Sequence, residues 1–394
     1  MRAHEAGALH AEGYGAPSWL AVPDDANELV PQLWASGVSR GRAGALTVAG
    51  VDVRDLAADF GTPAYVVDEA DFRSRARAFA RAFDDAFADA CGGADVYYAG
   101  KASLCTQVAR WVVEEGLFLD TCTGTELAVA LRAGVPVERI GLHGNNKSDA
   151  EHVRALEAGI GRIVVDSLDE IDRLADAAAA RGARAPVLLR VTVGVEAHTH
   201  SYIATAHEDQ KFGFSIGNGQ AFEAVRRVLA APGLDLLGLH SHIGSQIFDS
   251  AGFEVAARRV LALHARIGEE LGVTLPEMDL GGGFGIAYTT QDDPADPAQL
   301  ATEMSKIVEH ECRALGIEQP RLSVEPGRAI AGPAMCTVYT VGTVKRVELD
   351  GGAVRTYVSV DGGMSDNIRT ALYDAEYTCT LANRSSDAPP VAVR

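Results

Sequence analysis

The sequence has 394 residues, 47% apolar and 23% charged. That excludes a disordered, collagenous or fibrous chain and leaves room for two or three domains, or one large barrel with a smaller module. Lys and Arg number 35 against 54 Asp and Glu, a net charge of −19, so a broad nucleic-acid footprint is not expected, whereas a small anionic ligand needs only a few local cations.

No apolar run approaches the ~18 residues of a membrane span, and Met1-Arg2-Ala3-His4-Glu5 opens no secretory signal. Cys91, Cys105, Cys122, Cys312, Cys336 and Cys379 include no C-x-x-C pair. They read as reduced thiols of a cytoplasmic chain rather than a zinc site or a disulfide framework.

The first forty residues carry Gly, Pro, Asp and scattered Trp without periodicity and read as an irregular arm. Leu46–Val53 and Ala64–Val67 are short strand signals. From residue 69 an Ala/Arg/Phe-rich helix runs to about Ala90. Eight apolar runs follow: Val96–Ala99, Leu117–Asp120, Ile140–His143, Ile163–Asp166, Val187–Val193, Leu236–His242, Met278–Leu280 and Leu322–Glu325. Amphipathic helical stretches follow the first seven, among them Cys105–Glu115, Glu126–Ala133, Leu168–Arg181, Ala221–Ala230, Phe253–Leu271 and Leu300–Leu315. Strands alternating with helices imply a parallel sheet covered by helices. Eight units in about 255 residues match a closed (β/α)8 barrel, with a doubly wound open sheet as the alternative.

After Pro326 the pattern alternates and is rich in Val, Thr and Tyr. Met335–Val347, Arg355–Val360 and Tyr377–Ala382 read as antiparallel strands of an all-β domain, and another strand begins after Pro389-Pro390. The expected division is an arm and strands joining the β domain over residues 1–68, the barrel over 69–330, and the β domain over 331–394.

Active sites of such barrels lie at the C-terminal ends of the strands, and four of the run ends carry distinctive groups. Lys101 stands two residues past the first run; a lysine there can form a Schiff base or simply be solvated. His240-Ser241-His242-Ile243-Gly244-Ser245 ends the sixth run. Its two histidines suit a metal pair, a neutral ring packed on an aromatic ligand with Ser245 donating to a phosphate, or a satisfied core position. Gly281-Gly282-Gly283-Phe284-Gly285 follows the seventh run, where backbone N–H groups can close on a phosphate. Glu325-Pro326-Gly327-Arg328 ends the eighth: a carboxylate for a protonated ring nitrogen, a free N–H and a guanidinium fork. In the β segment, Arg369 and Tyr373, four residues apart, could bind one carboxylate jointly or be plain surface groups. One ligand accounts for the four barrel sites together: pyridoxal 5′-phosphate, with Lys101 as its covalent anchor, Glu325 at the pyridine nitrogen, the glycines and Ser245 at the phosphate, and His242 stacked on the ring.

Tyr98-Ala99-Gly100-Lys101-Ala102, His240 to Gln246, the Gly281–Phe284 turn and Glu325–Arg328 resemble the motifs of fold-type III pyridoxal-phosphate decarboxylases. His198-Thr199-His200, Lys211-Phe212-Gly213-Phe214, His242-Ile243-Gly244-Ser245-Gln246 and Ser365-Asp366-Asn367-Ile368-Arg369 narrow the resemblance to the diaminopimelate decarboxylases. It covers roughly residues 45 to 394. The resemblance implies an alanine-racemase-type barrel with a C-terminal antiparallel β domain, and a cytoplasmic two-fold homodimer with shared active sites. It implies decarboxylation of meso-2,6-diaminopimelate to L-lysine and CO2, the last step of lysine biosynthesis.

By motif, Lys101 is the Schiff-base lysine and Glu325 the partner of the pyridine nitrogen. Gly283, Pro326, Gly327 and Arg328 contact the cofactor, and Arg328, Arg369 and Tyr373 read the substrate's distal carboxylate. An ornithine decarboxylase needs acidic groups at that end, where this chain offers Arg369. The resemblance also implies a later Cys-Glu motif and a Gly-Ala-Tyr segment that residues 1–394 do not contain. The chain therefore reads as C-terminally incomplete relative to the family. A non-catalytic or crippled cofactor-binding relative, or another fold-type III amino-acid decarboxylase, is the alternative reading.

Overall fold

The computed structural model describes residues 25–41, 43–194, 211–348, 354–373 and 375–388. The chain divides into two compact units. One is Phe72–Ile286 with Asp293–Gly332; the other is Met1–Asp71 with Ala287–Asp292 and Pro333–Arg394.

The larger unit holds the eight apolar runs as strands Ala94–Ala99, Phe118–Thr121, Ile140–Leu142, Arg162–Val165, Ala185–Thr192, Leu234–His240, Glu277–Asp279 and Arg321–Val324. Each lies parallel to the next, and the eighth returns to the first with Leu322 opposite Ala94 and Val324 opposite Val96. That pairing closes the barrel and excludes the open sheet. A two-residue strand, Phe214–Ser215, adds beside Val191 and Thr192 of the fifth. Strands covered on both faces read as continuous apolar runs, and the fourth is buried along its whole length.

The helices follow from equally local rules. Leu168–Arg181 buries Ile171, Leu174 and Ala178, residues three and four apart on one face; Ser167 accepts the Glu170 N–H at its start, and Gly182, in the left-handed region at φ 59°, ends it. Helix Asp149–Ala158 opens on a reciprocal capping box between Ser148 and Glu151. Among the described residues, no helix is long and apolar enough to cross a membrane.

Polar residues from several strands meet inside the barrel. Asp120, Arg162, His240, Asp279 and Ser323, from five different strands, are each 4% exposed or less. Charged groups this deep are retained only when paired, and these are.

The smaller unit is built from antiparallel pairs. The expected strand Leu46–Val53 is instead a hairpin. Ala49 (φ 49°) and Gly50 (φ 82°) turn the chain, Val51–Asp52 pairs back on Leu46–Val48, and Val53 opens helix Val53–Phe60 with Asp52 capping its first turn. Within the arm, Val38–Arg40 pairs with Leu46–Val48, so its end is a strand rather than irregular.

The expected strand Met335–Val347 is two. Met335–Val338 pairs with Ala64–Val67, and Val341–Glu348 pairs with Val354–Val360. The break falls at Thr340, whose N–H donates to the Asp361 carboxylate at 2.8 Å while its carbonyl accepts from Asp361 N–H.

Tyr377–Ala382 is not a strand. Its backbone groups are satisfied singly: Thr378 N–H on Tyr288 carbonyl at 3.1 Å, Ala382 carbonyl from Leu46 N–H at 2.7 Å, and Leu381 carbonyl from Arg40 Nη1 at 3.1 Å. Tyr288 belongs to the Ala287–Asp292 insertion, and its ring meets that of Tyr377 edge-on at 4.9 Å. Packing therefore assigns this piece of the barrel's sequence to the β unit. The strand expected after Pro389-Pro390 lies outside the described residues.

Candidate active site

The site is assembled from loops that leave the C-terminal ends of the first, third, sixth, seventh and eighth barrel strands. Lys101 lies in a single 3-10 turn, Gly100–Ala102, immediately after the first strand, and its side chain is exposed. Beside it runs the turn that follows the eighth strand: Ala99 N–H donates to the Pro326 carbonyl at 3.2 Å. A Cβ on Gly327 would come within 2.9 Å of Ala99 Cβ and 3.2 Å of Ala102 Cβ. Arg328 opens the short helix Arg328–Ala331 from that turn.

Glu325 stands at the end of the eighth strand, 7% exposed. Its N–H bonds the Gly281 carbonyl at 2.9 Å. Its Oε1 lies 3.0 Å from His240 Nε2, 3.2 Å from His143 Nε2 and 3.9 Å from Arg162 Nη2. Burial pushes the carboxyl toward its neutral form, but the nearby His143, His240 and Arg162 together hold it well below the usual carboxylate range.

The glycine turn closes against both neighbours. Gly281 and Gly283 have φ of 72° and 102°, in the region that favours glycine. Added Cβ atoms on Gly281, Gly282 and Gly283 would fall 2.5 Å from the Ser241 carbonyl, 2.1 Å from that of Glu325 and 2.3 Å from that of Gly244. Gly282 N–H donates to His242 Nδ1 at 3.2 Å. Burial first, then the positive charges of Lys101 and Arg190, keep His242 well below the ordinary imidazole range, so the ring is neutral. Half-buried Ser245 follows Gly244 on the same loop.

The structure thus brings Lys101, His242, Ser245, Gly283, Glu325, Pro326, Gly327 and Arg328 to one end of one barrel. It separates the two histidines that suited a metal pair: His240 points at Glu325, while His242 is held by Gly282. Among the described residues, the three groups whose ligand-type atoms lie within 4.8 Å of one another are His143, His240 and Glu325.

Arg369 and Tyr373 belong to the smaller unit, at the two ends of helix Arg369–Tyr373. Tyr377 is the group the guanidinium bonds, Nη1 to Oη at 2.7 Å, and Arg369 also lies over the Tyr288 ring at 4.9 Å. His198-Thr199-His200 lie outside the described residues.

Sequence reasoning missed the layer beneath the site. Arg162 donates to Asp279 Oδ2 at 2.6 Å and Ser323 Oγ at 2.9 Å and lies over the Tyr97 ring at 3.4 Å. His143 Nε2 sits 3.1 Å from Asp120 Oδ1. The available signal was a charged residue or histidine inside or at the edge of the runs that supply Asp120, His143, Arg162, His240 and Asp279.

Residues 69–332 match the family described as pyridoxal-dependent decarboxylase, pyridoxal binding domain. The chain belongs to the pyridoxal-dependent decarboxylases. It is 54% identical over 396 residues to the diaminopimelate decarboxylase of Mycobacterium leprae, covering 99% of this chain and 82% of that protein. It is 51% identical over 382 residues to that of Corynebacterium efficiens, covering 96% and 81%. The crystal structure of diaminopimelate decarboxylase from M. jannaschii in co-complex with L-lysine superposes with a TM-score of 0.79 at 29% identity, over 88% of this chain and 78% of that one. Within the class, the chain is a member of the diaminopimelate decarboxylase family.

Its cofactor is pyridoxal phosphate, and the residues present fit that group. A glycine turn beside the half-buried Ser245 hydroxyl suits a phosphate, an exposed primary amine suits covalent attachment, a neutral imidazole suits stacking, and a buried ionised carboxylate suits a protonated ring nitrogen.

Proposed function

We propose that the chain catalyses the pyridoxal-phosphate-dependent decarboxylation of meso-2,6-diaminopimelate at its D-configured carbon, releasing CO2 and L-lysine, the last step of lysine biosynthesis. The observation that carries the reading is the convergence of Lys101, the Gly281–Gly283 cradle, His242 and the buried, ionised Glu325 at one barrel end. It is supported by curated diaminopimelate decarboxylases more than half identical over nearly the whole chain.

Lys101 anchors the cofactor. The N–H groups of Gly283 and Gly327, with the Ser245 hydroxyl, take its phosphate, those of Gly281 and Gly282 being committed to Asp279 and His242. His242 covers its ring, and Glu325, with Pro326 and Gly327 fixing the turn, faces the ring nitrogen. When bound, pyridoxal phosphate supplies an electron-poor ring that accommodates the electron pair left by departing CO2. Glu325 favours that chemistry by keeping a proton on the ring nitrogen. Arg328, Arg369 and Tyr373 read the carboxylate at the far end of the substrate, where an ornithine-type substrate carries an ammonium.

The working form we propose is a cytoplasmic homodimer with shared active sites. Six unpaired cysteines suit a reducing compartment. Val341, Val344, Val354 and Val360, 41–57% exposed on a two-stranded ribbon, suit an association surface.

The test is turnover of carboxyl-labelled meso-diaminopimelate by the pyridoxal-phosphate-loaded protein, with ornithine and lysine as competitors. Labelled CO2 with L-lysine as the other product is expected. Preferred turnover of ornithine or lysine overturns the reading.

A further inference from the structure

Beneath the glycine turn and the Lys101 loop, the barrel contains a closed group of ionisable side chains: Asp120, His143, Arg162, His240, Asp279 and Glu325. Each of these side chains is 9% exposed or less. Three are carboxylates and one, Arg162, is a permanent cation. Asp279 takes most of what Arg162 offers, at 2.6 Å, and also receives the Ser323 hydroxyl at 2.7 Å and the Gly281 N–H at 2.6 Å. Asp120 and Glu325 lie farther from the guanidinium, at 3.7 and 3.9 Å.

The two imidazoles fill the gap that leaves. His143 Nε2 stands between Asp120 Oδ1 at 3.1 Å and Glu325 Oε1 at 3.2 Å, and His240 Nε2 reaches Glu325 Oε1 at 3.0 Å. The rings meet edge-to-face with centroids 5.2 Å apart, so each limits the other's rotation. Both histidine contacts fall on the same carboxylate oxygen. The second oxygen carries neither.

We infer that His143 and His240 are positioning residues for Glu325: from inside the barrel they fix its Oε1 and so present its other oxygen, as an anion, to the ring nitrogen of pyridoxal phosphate. The inference rests on the assignment of Glu325 to that nitrogen. The physical need is specific. A carboxylate at the end of a strand turns freely about its last torsion unless one oxygen is held, and a buried one takes up a proton unless donors or cations face it. The chain meets both needs with His143, which follows the third strand directly, and His240, which ends the sixth.

The experiment is a double-mutant cycle read on cofactor binding. Apoprotein of the parent, His240→Leu, His240→Gln, Glu325→Gln and the double variant His240→Leu/Glu325→Gln is titrated with pyridoxal phosphate. Affinity and the absorption spectrum of the bound cofactor are recorded. His240→Leu should weaken binding about tenfold or more and shift the spectrum, as expected for a lost polar contact to a buried charged group. His240→Gln, which places an N–H near the position of Nε2, should restore most of both. In the Glu325→Gln background, His240→Leu should change affinity less than about twofold.

An equal loss in both backgrounds, no loss, or failure of His240→Gln to rescue would overturn the inference. So would a stoichiometric transition metal in the parent that departs with His240→Leu, since that makes the three donors a metal site. If the parent binds pyridoxal phosphate but Glu325→Gln changes neither readout, the assignment of Glu325 fails first and takes this inference with it. Should His240→Leu not fold, His143→Leu and His143→Gln carry the same cycle.

Discussion

Gly282 donates its backbone N–H to Nδ1 of His242 at 3.2 Å. That bond joins the loops after the sixth and seventh strands and fixes the imidazole's tautomer: Nδ1 accepts, so the ring is neutral with its proton on Nε2. A neutral flat ring can lie against a cofactor without adding a charge beside Lys101.

The same bond has a consequence for acid stability. His242 is held well below its ordinary range, so the unfolded chain takes up a proton that the folded chain refuses. Its contribution to stability is full above the unfolded value of about 6.5 and is lost as pH falls below it. Urea unfolding of the parent should therefore show lower stability at pH 5.5 than at pH 7.5, and His242→Gln should remove part of that difference. Glu325 is also held low, but a carboxylate loses its contribution below its unfolded value of about 4.3, outside this window. An identical pH dependence in parent and variant contradicts the neutral ring.

Gly283→Ala should separate folding from cofactor binding. The added methyl would fall 2.3 Å from the Gly244 carbonyl, at a backbone φ of 102°. The strain should cost about 1–3 kcal/mol of stability, measured by thermal unfolding of the apoprotein. The widened turn should lose pyridoxal phosphate affinity by more than that stability change explains.

Arg162→Leu tests the buried layer. The guanidinium bonds Asp279 and Ser323 and stacks on Tyr97. Leucine leaves Asp279 and Asp120 buried without their cation, a loss of about 3–5 kcal/mol. Chemical denaturation should show the midpoint falling accordingly, and a change below 1 kcal/mol would mean the layer is not charged as described.

Arg369→Ala addresses substrate choice. A charge-assisted fork to a carboxylate is worth about 1.5–3 kcal/mol, or about 10- to 150-fold. Turnover of meso-diaminopimelate should fall by at least that factor while cofactor attachment persists. Unchanged kinetics would remove Arg369 from the substrate's distal end.

The barrel was legible because strands buried on both faces leave continuous apolar runs such as Val187–Val193, and all eight runs coincide with strands. The upper part of the site was legible because its chemistry is local: Lys101, the glycine turn and Glu325–Arg328 each follow a strand directly. The buried layer was not. Arg162 begins the fourth strand, while its partners Asp279 and Ser323 lie in the seventh and eighth, and only barrel closure brings them together. His143 ends an apolar run without a motif around it, so nothing in the linear order marks its contact with Glu325. The β unit was misread where packing overrides pattern. Alternation continues through Ala49 and Gly50 even though the chain turns there, and no composition shift flags Ala287–Asp292 as leaving the barrel.

The central claim is that the barrel end carrying Lys101 and Glu325 is the cofactor site, and borohydride reduction of the pyridoxal-phosphate-loaded protein tests it most directly. Peptide mapping should place a single pyridoxyl adduct on Lys101, which is exposed at the mouth of the site, and Lys101→Ala should abolish it while leaving the fold intact. An adduct on another lysine, or none with pyridoxal phosphate in excess, would contradict the account.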